Sequence, residues 1–296
     1  MIAFVLSGGG SLGAVQAGML EALLESEIVP DVLVGTSIGA ANAAFLAAEP
    51  SLPRARALSE LWRSLKPRDV FPIGPLRTFR AVRKGSLFST APLRELIERH
   101  STYSMIERAP VSLRIVAADF ADGSEIVFDS GPVADAVLAS TALPGVFPPH
   151  SINGHLYLDG GLVDHVPLRP AIAMGADTIY VLSCGFPCPP NANHRSARSL
   201  LAHSMGILLS QRIRVDVEQV PQDNPEVTIV SLPPVCTHSG LRDLGRAASL
   251  IERARHQTRL FLSGRPCDTC QHGHNQREQS VEFAEDVGLS TDLSVA

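Results

Sequence analysis

The chain has 296 residues, a formal net charge of −5, 45% hydrophobic residues and 19% charged ones. That balance excludes a disordered polymer and gives no sign of a nucleic-acid-binding surface, and the length suffices for one large domain with a substantial core. No apolar run reaches the roughly eighteen residues that would span a bilayer.

Ile2–Leu6 is a short apolar run that reads as a first strand and leads into Ser7-Gly8-Gly9-Gly10-Ser11-Leu12-Gly13. It lacks a basic leader and enters the glycines directly, so it is read as a strand and not as a signal peptide. Leu12, Val15, Met19, Ala22 and Leu23 then recur at helical spacing, ending near Ser26. A second strand at 32–34 meets Gly35-Thr36-Ser37-Ile38-Gly39, followed by an alanine-rich helix over 38–48. Further strands are expected at 112–118, 126–128, 155–158, 178–183 and 227–231, and helices at 91–99, 133–140, 168–174, 197–219 and 240–262. Short apolar runs alternating with helical patterns argue for an α/β fold with a mostly parallel sheet.

Gly35–Gly39 is a G-x-S-x-G, the sharp strand-to-helix turn that lifts a serine hydroxyl clear of its sheet. Glycines flank the serine because the turn brings the backbone against the neighbouring strand and helix, where a Cβ would clash. The first glycine run can present backbone N–H groups to a negative oxygen, helped by the helix that follows. A nucleophile beside an anion cradle is the minimum equipment for acyl transfer, so the pair reads as a serine hydrolase. Gly8, Gly10 and Gly13 also satisfy the G-x-G-x-x-G of dinucleotide-binding folds. That reading requires an acidic residue at the end of the second strand. Here Asp31 precedes the strand and the serine turn ends it, so the dinucleotide reading fails.

A third element follows the run 155–158: Asp159-Gly160-Gly161, with Ala139-Ser140-Thr141-Ala142-Leu143-Pro144-Gly145-Val146-Phe147-Pro148-Pro149 upstream. In this order, GGGSLG, GTSIG, the AST-A-LP-GVFPP stretch and DGG resemble the patatin-like phospholipase family over residues 1–235. The resemblance implies a three-layer α/β/α sandwich and a Ser–Asp dyad. Ser37 is then the nucleophile, Asp159 its base partner, and Gly8, Gly9 and Gly10 the oxyanion loop, with the amide of Ile38 as a further donor. It also implies hydrolysis of a lipid carboxyl ester through an acyl-serine intermediate, with neither a metal nor an organic cofactor. Leu12 stands where the family often carries Arg or Lys. Backbone donors do not depend on that side chain, so the departure bears on how an anionic headgroup is held.

A serine hydroxyl needs a partner to take its proton. Aspartate, with an ordinary pKa of about 3.9, serves only if it is partly desolvated and within reach; Leu156, Leu158, Leu162 and Val163 are the apolar neighbours expected to provide that setting. The competing arrangement is a triad, since His150, His155, His165 and His203 all follow Ser37 and Asp164 adjoins His165. Ser37, Asp159 and His203 have the chain order of ordinary α/β-hydrolases. Against it, the nucleophile comes after only two strands and the glycine loop lies on the first strand instead of the third. Each histidine otherwise reads as a surface or loop residue. A catalytically silent lipid-binding module is the remaining alternative, and the joint presence of Ser37, Asp159 and the glycine loop argues against it.

Residues 53–84 carry nine basic groups against Glu60 and Asp69 alone, together with the only tryptophan, Trp62. Basic side chains beside apolar and aromatic ones suit an anionic lipid surface; a solvated helix and loop over the sheet is the plainer reading. The five cysteines are expected to be free thiols of a cytoplasmic protein. Cys267 and Cys270 with His272 and His274 have metal-ligand chemistry, but no second ligand pair accompanies them at finger spacing. The hydrolase domain is placed at 1–263 and a flexible polar tail at 264–296, where large apolar residues are few.

Overall fold

The computed structural model describes residues 1–71, 86–184, 219–235 other than 221, and 243–265. The expectations for His203, for nearly all of the helix at 197–219, for the Cys267–His274 cluster and for the tail beyond Arg265 lie outside the described residues.

The chain begins with β1 (Ile2–Leu6), α1 (Gly13–Glu25), β2 (Val32–Thr36) and α2 (Ile38–Ala47). Next come α3 (Leu52–Ser64), α4 (Pro67–Val70), α5 (Ala91–His100), β3 (Ser112–Asp119), β4 (Glu125–Phe128) and α6 (Val133–Ser140). The remainder is β5 (His150–Ile152), β6 (His155–Asp159), α7 (Leu168–Ala173), β7 (Thr178–Leu182), β8 (Thr228–Ser231) and α8 (Ala247–Leu262). One sheet runs β5-β6-β3-β2-β1-β7-β8, with β4 also on β3. Pairing is parallel from β3 through β2, β1 and β7 to β8. At the other end β4, β6 and β5 pair antiparallel, so the expected mostly parallel sheet is mixed at one edge. Asn153 and Gly154, both at positive φ (51° and 85°), form the two-residue turn between β5 and β6.

Alternation along each strand sorts the core into two layers. Phe4, Leu6, Leu33, Leu113 and Ile115 face α1, α2, α3, α6 and α8. Ala3, Val5, Val32, Val34, Ile179 and Val181 face the side covered by α7. The molecule is therefore a three-layer α/β/α sandwich. α1 is buried from Gly13 to Leu24 because α3 and α8 cover the side turned from the sheet. A methyl group on Gly18 would stand 2.2 Å from the Ile251 carbonyl oxygen, so α1 and α8 touch backbone to backbone there.

β3 determines where the site forms. β2 pairs with its residues 112–116 and β6 with 117–119. The register of β4 on β3 spans Ile115–Ala118 and overlaps both, so β4 occupies the opposite edge. β2 and the antiparallel β6 thus meet end to end along one edge of β3, Thr36 opposite Val116 and Asp159 opposite Ala117. The residues that end these two strands are thrown together.

Four of the five cations in the described part of the 53–84 segment have partners within the protein. Arg54 donates to the carbonyls of Phe45 and His100, both at 3.0 Å, and stacks on the Phe45 ring. Arg63 pairs with Glu60 and Glu252, Arg56 with Glu25, and Arg68 with Asp69. Trp62 is buried. Among the described residues no helix is long and apolar enough to cross a membrane.

Candidate active site

Ser37 follows the end of β2 with φ 54° and ψ −124°, a conformation that non-glycine residues rarely adopt. The surroundings hold it there. Ser37 N–H donates to Ser140 Oγ at 2.7 Å, and the Ser140 hydroxyl donates to the Val116 carbonyl at 2.5 Å. A methyl group on Gly39 would stand 2.2 Å from the Leu6 carbonyl oxygen, and one on Gly35 2.6 Å from the Ala40 backbone nitrogen. These are the clashes that flanking glycines avoid, and the first presses α2 against the start of the glycine loop.

The serine hydroxyl donates to Asp159 Oδ2 at 2.6 Å. Asp159 Oδ1 accepts from the Gly161 amide at 2.8 Å. Gly160 has no room for a side chain, since a methyl group there would come within 2.2 Å of the Val116 carbonyl oxygen. The carboxylate is 4% exposed. Burial raises its pKa to about 6, while the hydrogen bonds from Ser37 and Gly161 pull it down less strongly. A carboxylate in that range accepts a proton far more readily than a solvated one and is still ionised at neutral pH.

The glycine loop lies against the serine, for a methyl group on Gly8 would stand 3.4 Å from Ser37 Cβ. Its three amides are not equivalent. Gly8 N–H already donates to the His165 carbonyl at 3.2 Å and is committed to the fold, unlike the role expected for it from sequence. Gly9, Gly10 and Ile38 have no such backbone acceptor among the described residues. Gly10 sits at φ 59°, and the Cys184 side chain fills the space where a Gly9 side chain would go, with Sγ 2.7 Å from a Cβ there. Burial pushes the Cys184 thiol up to about 12, so it packs without reacting.

None of the described histidines hydrogen-bonds Ser37 or Asp159. His150 binds Asp135, which also pairs with Arg94. His155 is exposed on β6. His165 comes nearest, its ring wedged between Gly8 and Gly161 with Nδ1 buried and without a partner. Burial lowers its pKa to about 4, so it stays neutral. The Asp164 carbonyl accepts from Thr36 Oγ1 at 2.9 Å, tying this loop to the end of β2.

A family model for patatin-like phospholipases matches residues 4–172, more than half of the chain. The chain belongs to the patatin-like phospholipase family. Among curated proteins it is 32% identical to patatin-like phospholipase domain-containing protein 7 of Rattus norvegicus, over 62% of this chain and 14% of the rat protein. It is 28% identical to an uncharacterized NTE family protein of Mycobacterium tuberculosis, over 62% of this chain and 48% of that one. The chain therefore spans half or less of the length of these relatives. Among solved structures, VipD of Legionella pneumophila aligns over 86% of this chain and 65% of that chain, at 15% identity and a TM-score of 0.45. Full-length ExoU of Pseudomonas aeruginosa, in complex with SpcU, aligns over 97% of this chain and 60% of that one, at 18% identity and a TM-score of 0.39. In this patatin-like domain the matched region contains the glycine loop, Ser37, Ser140, Asp159 and His165, while Cys184 lies beyond it.

Several of the groups that hold the site carry no motif signal for that role. Ser140 lies within the Ala139–Pro149 stretch, whose pattern does not mark it as the partner of the Ser37 amide. Gln16 and Asn42 are large polar residues on helices otherwise made of small and apolar ones, and that contrast was the available signal.

Proposed function

We propose that the protein is a lipid acyl hydrolase that cleaves carboxyl esters with a Ser37–Asp159 dyad. The observation that carries this reading is the 2.6 Å hydrogen bond from Ser37 Oγ to a buried Asp159 carboxylate whose other oxygen is held by a backbone amide. Asp159 takes the hydroxyl proton as Ser37 Oγ attacks the ester carbonyl carbon. The tetrahedral oxyanion is met by the amides of Gly9 and Gly10, with that of Ile38 at the start of α2, where the helix dipole also favours negative charge. Collapse of the intermediate expels the alcohol, which leaves with the proton held by Asp159. Asp159 then takes a proton from a water that attacks the acyl carbon; the Ser37 Oγ–acyl bond breaks, Asp159 returns that proton to Ser37 Oγ, and the carboxylic acid departs.

The hydrolase domain is taken as 1–263, acting from the cytoplasm with peripheral contact at an anionic membrane. The support for that contact is the sequence of residues 72–84, which has Arg77, Arg80, Arg83 and Lys84 interspersed with Ile73, Leu76, Phe79 and Val82 and contains no acidic residue.

The test is hydrolysis of a graded series of acyl esters by wild type, Ser37→Ala and Asp159→Asn. Turnover lost in both variants, with the fold retained, is the expected result. Turnover surviving in Asp159→Asn alone would transfer the base role to a histidine. Lipid binding without turnover in the wild type would make the protein a silent lipid binder.

A further inference from the structure

Beneath the site, a chain of three buried side chains joins α3 to α2, α1 and the glycine loop. Trp62 Nε1–H donates to Asn42 Oδ1 at 3.0 Å. Asn42 Nδ2 donates to Gln16 Oε1 at 2.8 Å and to the Gly13 carbonyl at 3.0 Å. Gln16 Nε2 donates to the carbonyls of Ser7 at 2.8 Å and Leu182 at 3.0 Å. Trp62, Asn42 and Gln16 are 4%, 2% and 0% exposed.

The direction of every bond follows from one fact: an indole N–H only donates. It fixes the oxygen of Asn42 toward Trp62, which turns Asn42 Nδ2 toward Gln16 Oε1. That in turn aims both Gln16 amide hydrogens at carbonyls. Rotating either amide by half a turn would set donor against donor and carbonyl against oxygen. The network therefore has one satisfied arrangement, and that arrangement is imposed from α3.

Its protein ends are informative. Ser7 and Gly13 are the first and last residues of the glycine loop, and Asn42 is on the helix that Ser37 begins. The Ser7 carbonyl and the Gly8 N–H belong to one trans peptide plane and point in opposite directions. With the carbonyl held by Gln16, Gly8 N–H is turned to the His165 carbonyl, where it donates at 3.2 Å. The loop is thus clamped on both sides just before Gly9 and Gly10. Three large polar groups are costly to bury for packing alone, and apolar residues of similar size fill such space as well.

We propose that Gln16, Asn42 and Trp62 are positioning residues that set the oxyanion loop relative to Ser37, so that α3 and its tryptophan govern the rate of acyl transfer from below the site. This rests on the acyl-hydrolase reading above. A displacement of the donors by an ångström costs up to about a hundredfold in rate, without any contact to substrate being removed.

The experiment compares wild type, Gln16→Met and Trp62→Phe on one soluble acyl ester, with kcat, KM, the rate of labelling by a fluorophosphonate and Tm measured for each. Gln16→Met keeps the length of the side chain and removes its hydrogen bonds; Trp62→Phe removes the indole N–H together with some ring volume beside Gly13 and leaves the carbonyls of Ser7 and Leu182 partnered. The expected result is a kcat about ten- to a hundredfold lower for Gln16→Met, a smaller loss for Trp62→Phe, labelling slowed in parallel, KM little changed and the pH midpoint of kcat unmoved. Should Gln16→Met not fold, Trp62→Phe decides. Folded variants with lowered Tm but wild-type kcat and labelling would overturn the proposal and leave the network a support of the fold. A wild type inert toward both ester and fluorophosphonate would overturn the hydrolase reading and this inference with it, an outcome recognisable because it needs no variant.

Discussion

Ser140 and Ser37 are bound in series: Ser37 N–H donates to Ser140 Oγ at 2.7 Å, and the Ser140 hydroxyl passes its own hydrogen to the Val116 carbonyl at 2.5 Å. One short side chain at the end of α6 thereby satisfies a backbone donor and a backbone acceptor at the point where β2 stops. Ser37 sits at φ 54°, a conformation that costs about 1–3 kcal/mol and persists only when the surroundings over-determine it. Ser140→Ala leaves both backbone groups unpaired in a buried setting. The expected loss of stability is about 1–3 kcal/mol, read as a fall in Tm, together with a drop in kcat larger than any change in KM. Wild-type values of both kcat and Tm would show that water or a shifted backbone replaces the hydroxyl without cost.

In the proposed dyad, the pH dependence of turnover follows from Asp159. Burial raises its pKa to about 6, and only the ionised form accepts the Ser37 proton. kcat/KM is therefore expected to rise with pH through a midpoint near 6 and to level off above it. A solvated aspartate would place that midpoint near its ordinary value of about 4. A midpoint that low, measured on the free enzyme, would show that water reaches the carboxylate before substrate does.

Stability carries a second signature, because two buried groups in contact with Gly161 titrate in opposite senses. Asp159 has a folded pKa raised to about 6, so between its ordinary range and 6 the native state holds a proton that the unfolded chain has lost. Its contribution is present at low pH and is lost as pH rises through 6. His165 has a folded pKa lowered to about 4, so its contribution is present above its ordinary value and is lost as pH falls toward 4. The two slopes oppose each other between about pH 4 and 6. Asp159→Asn is expected to leave a protein whose Tm, relative to wild type, improves as pH rises through that window. His165→Asn should improve relative to wild type as pH falls. Parallel Tm curves for wild type and both variants from pH 4 to 7 would mean that neither group is desolvated.

The elbow, the glycine run and DGG were legible because each is a local backbone demand. A turn at positive φ, or a backbone so close to a carbonyl oxygen that a Cβ would stand 2.2 Å from it, admits few residues, so the sequence declares it. The strands beside them were legible for a similar reason, since buried parallel strands read as continuous apolar runs. Ser140, Gln16 and Asn42 were not, because their partners lie 103, 166 and 26 residues away and sequence gives no distance between segments. Trp62 admits two readings from composition, since an aromatic among arginines suits either a membrane-facing segment or a helix that covers the sheet; the structure buries the ring with its N–H on Asn42. The commitment of Gly8 N–H was also invisible, for it depends on where the chain returns after DGG.

The pairing of cations over 54–68 sharpens what a membrane experiment should find. Arg56 and Arg63 already meet Glu25, Glu60 and Glu252, and a paired arginine offers little net field to a bilayer. Such partly exposed pairs also contribute little to stability, typically under about 1 kcal/mol each. Arg77, Arg80, Arg83 and Lys84 stand in a stretch with no acidic residue, and each basic group near an anionic surface contributes about 1 kcal/mol, or about fivefold in binding. Substituting those four by Gln is therefore expected to abolish cosedimentation with phosphatidylserine-containing vesicles. Arg56→Gln with Arg63→Gln should leave vesicle binding unchanged and lower Tm slightly. Neither wild type nor variants should bind purely zwitterionic vesicles, because the attraction depends on the surface potential. Binding that survives the fourfold substitution, or that is equal on both lipid compositions, would remove residues 72–84 from any role at the membrane and leave ester turnover to be explained without surface recruitment.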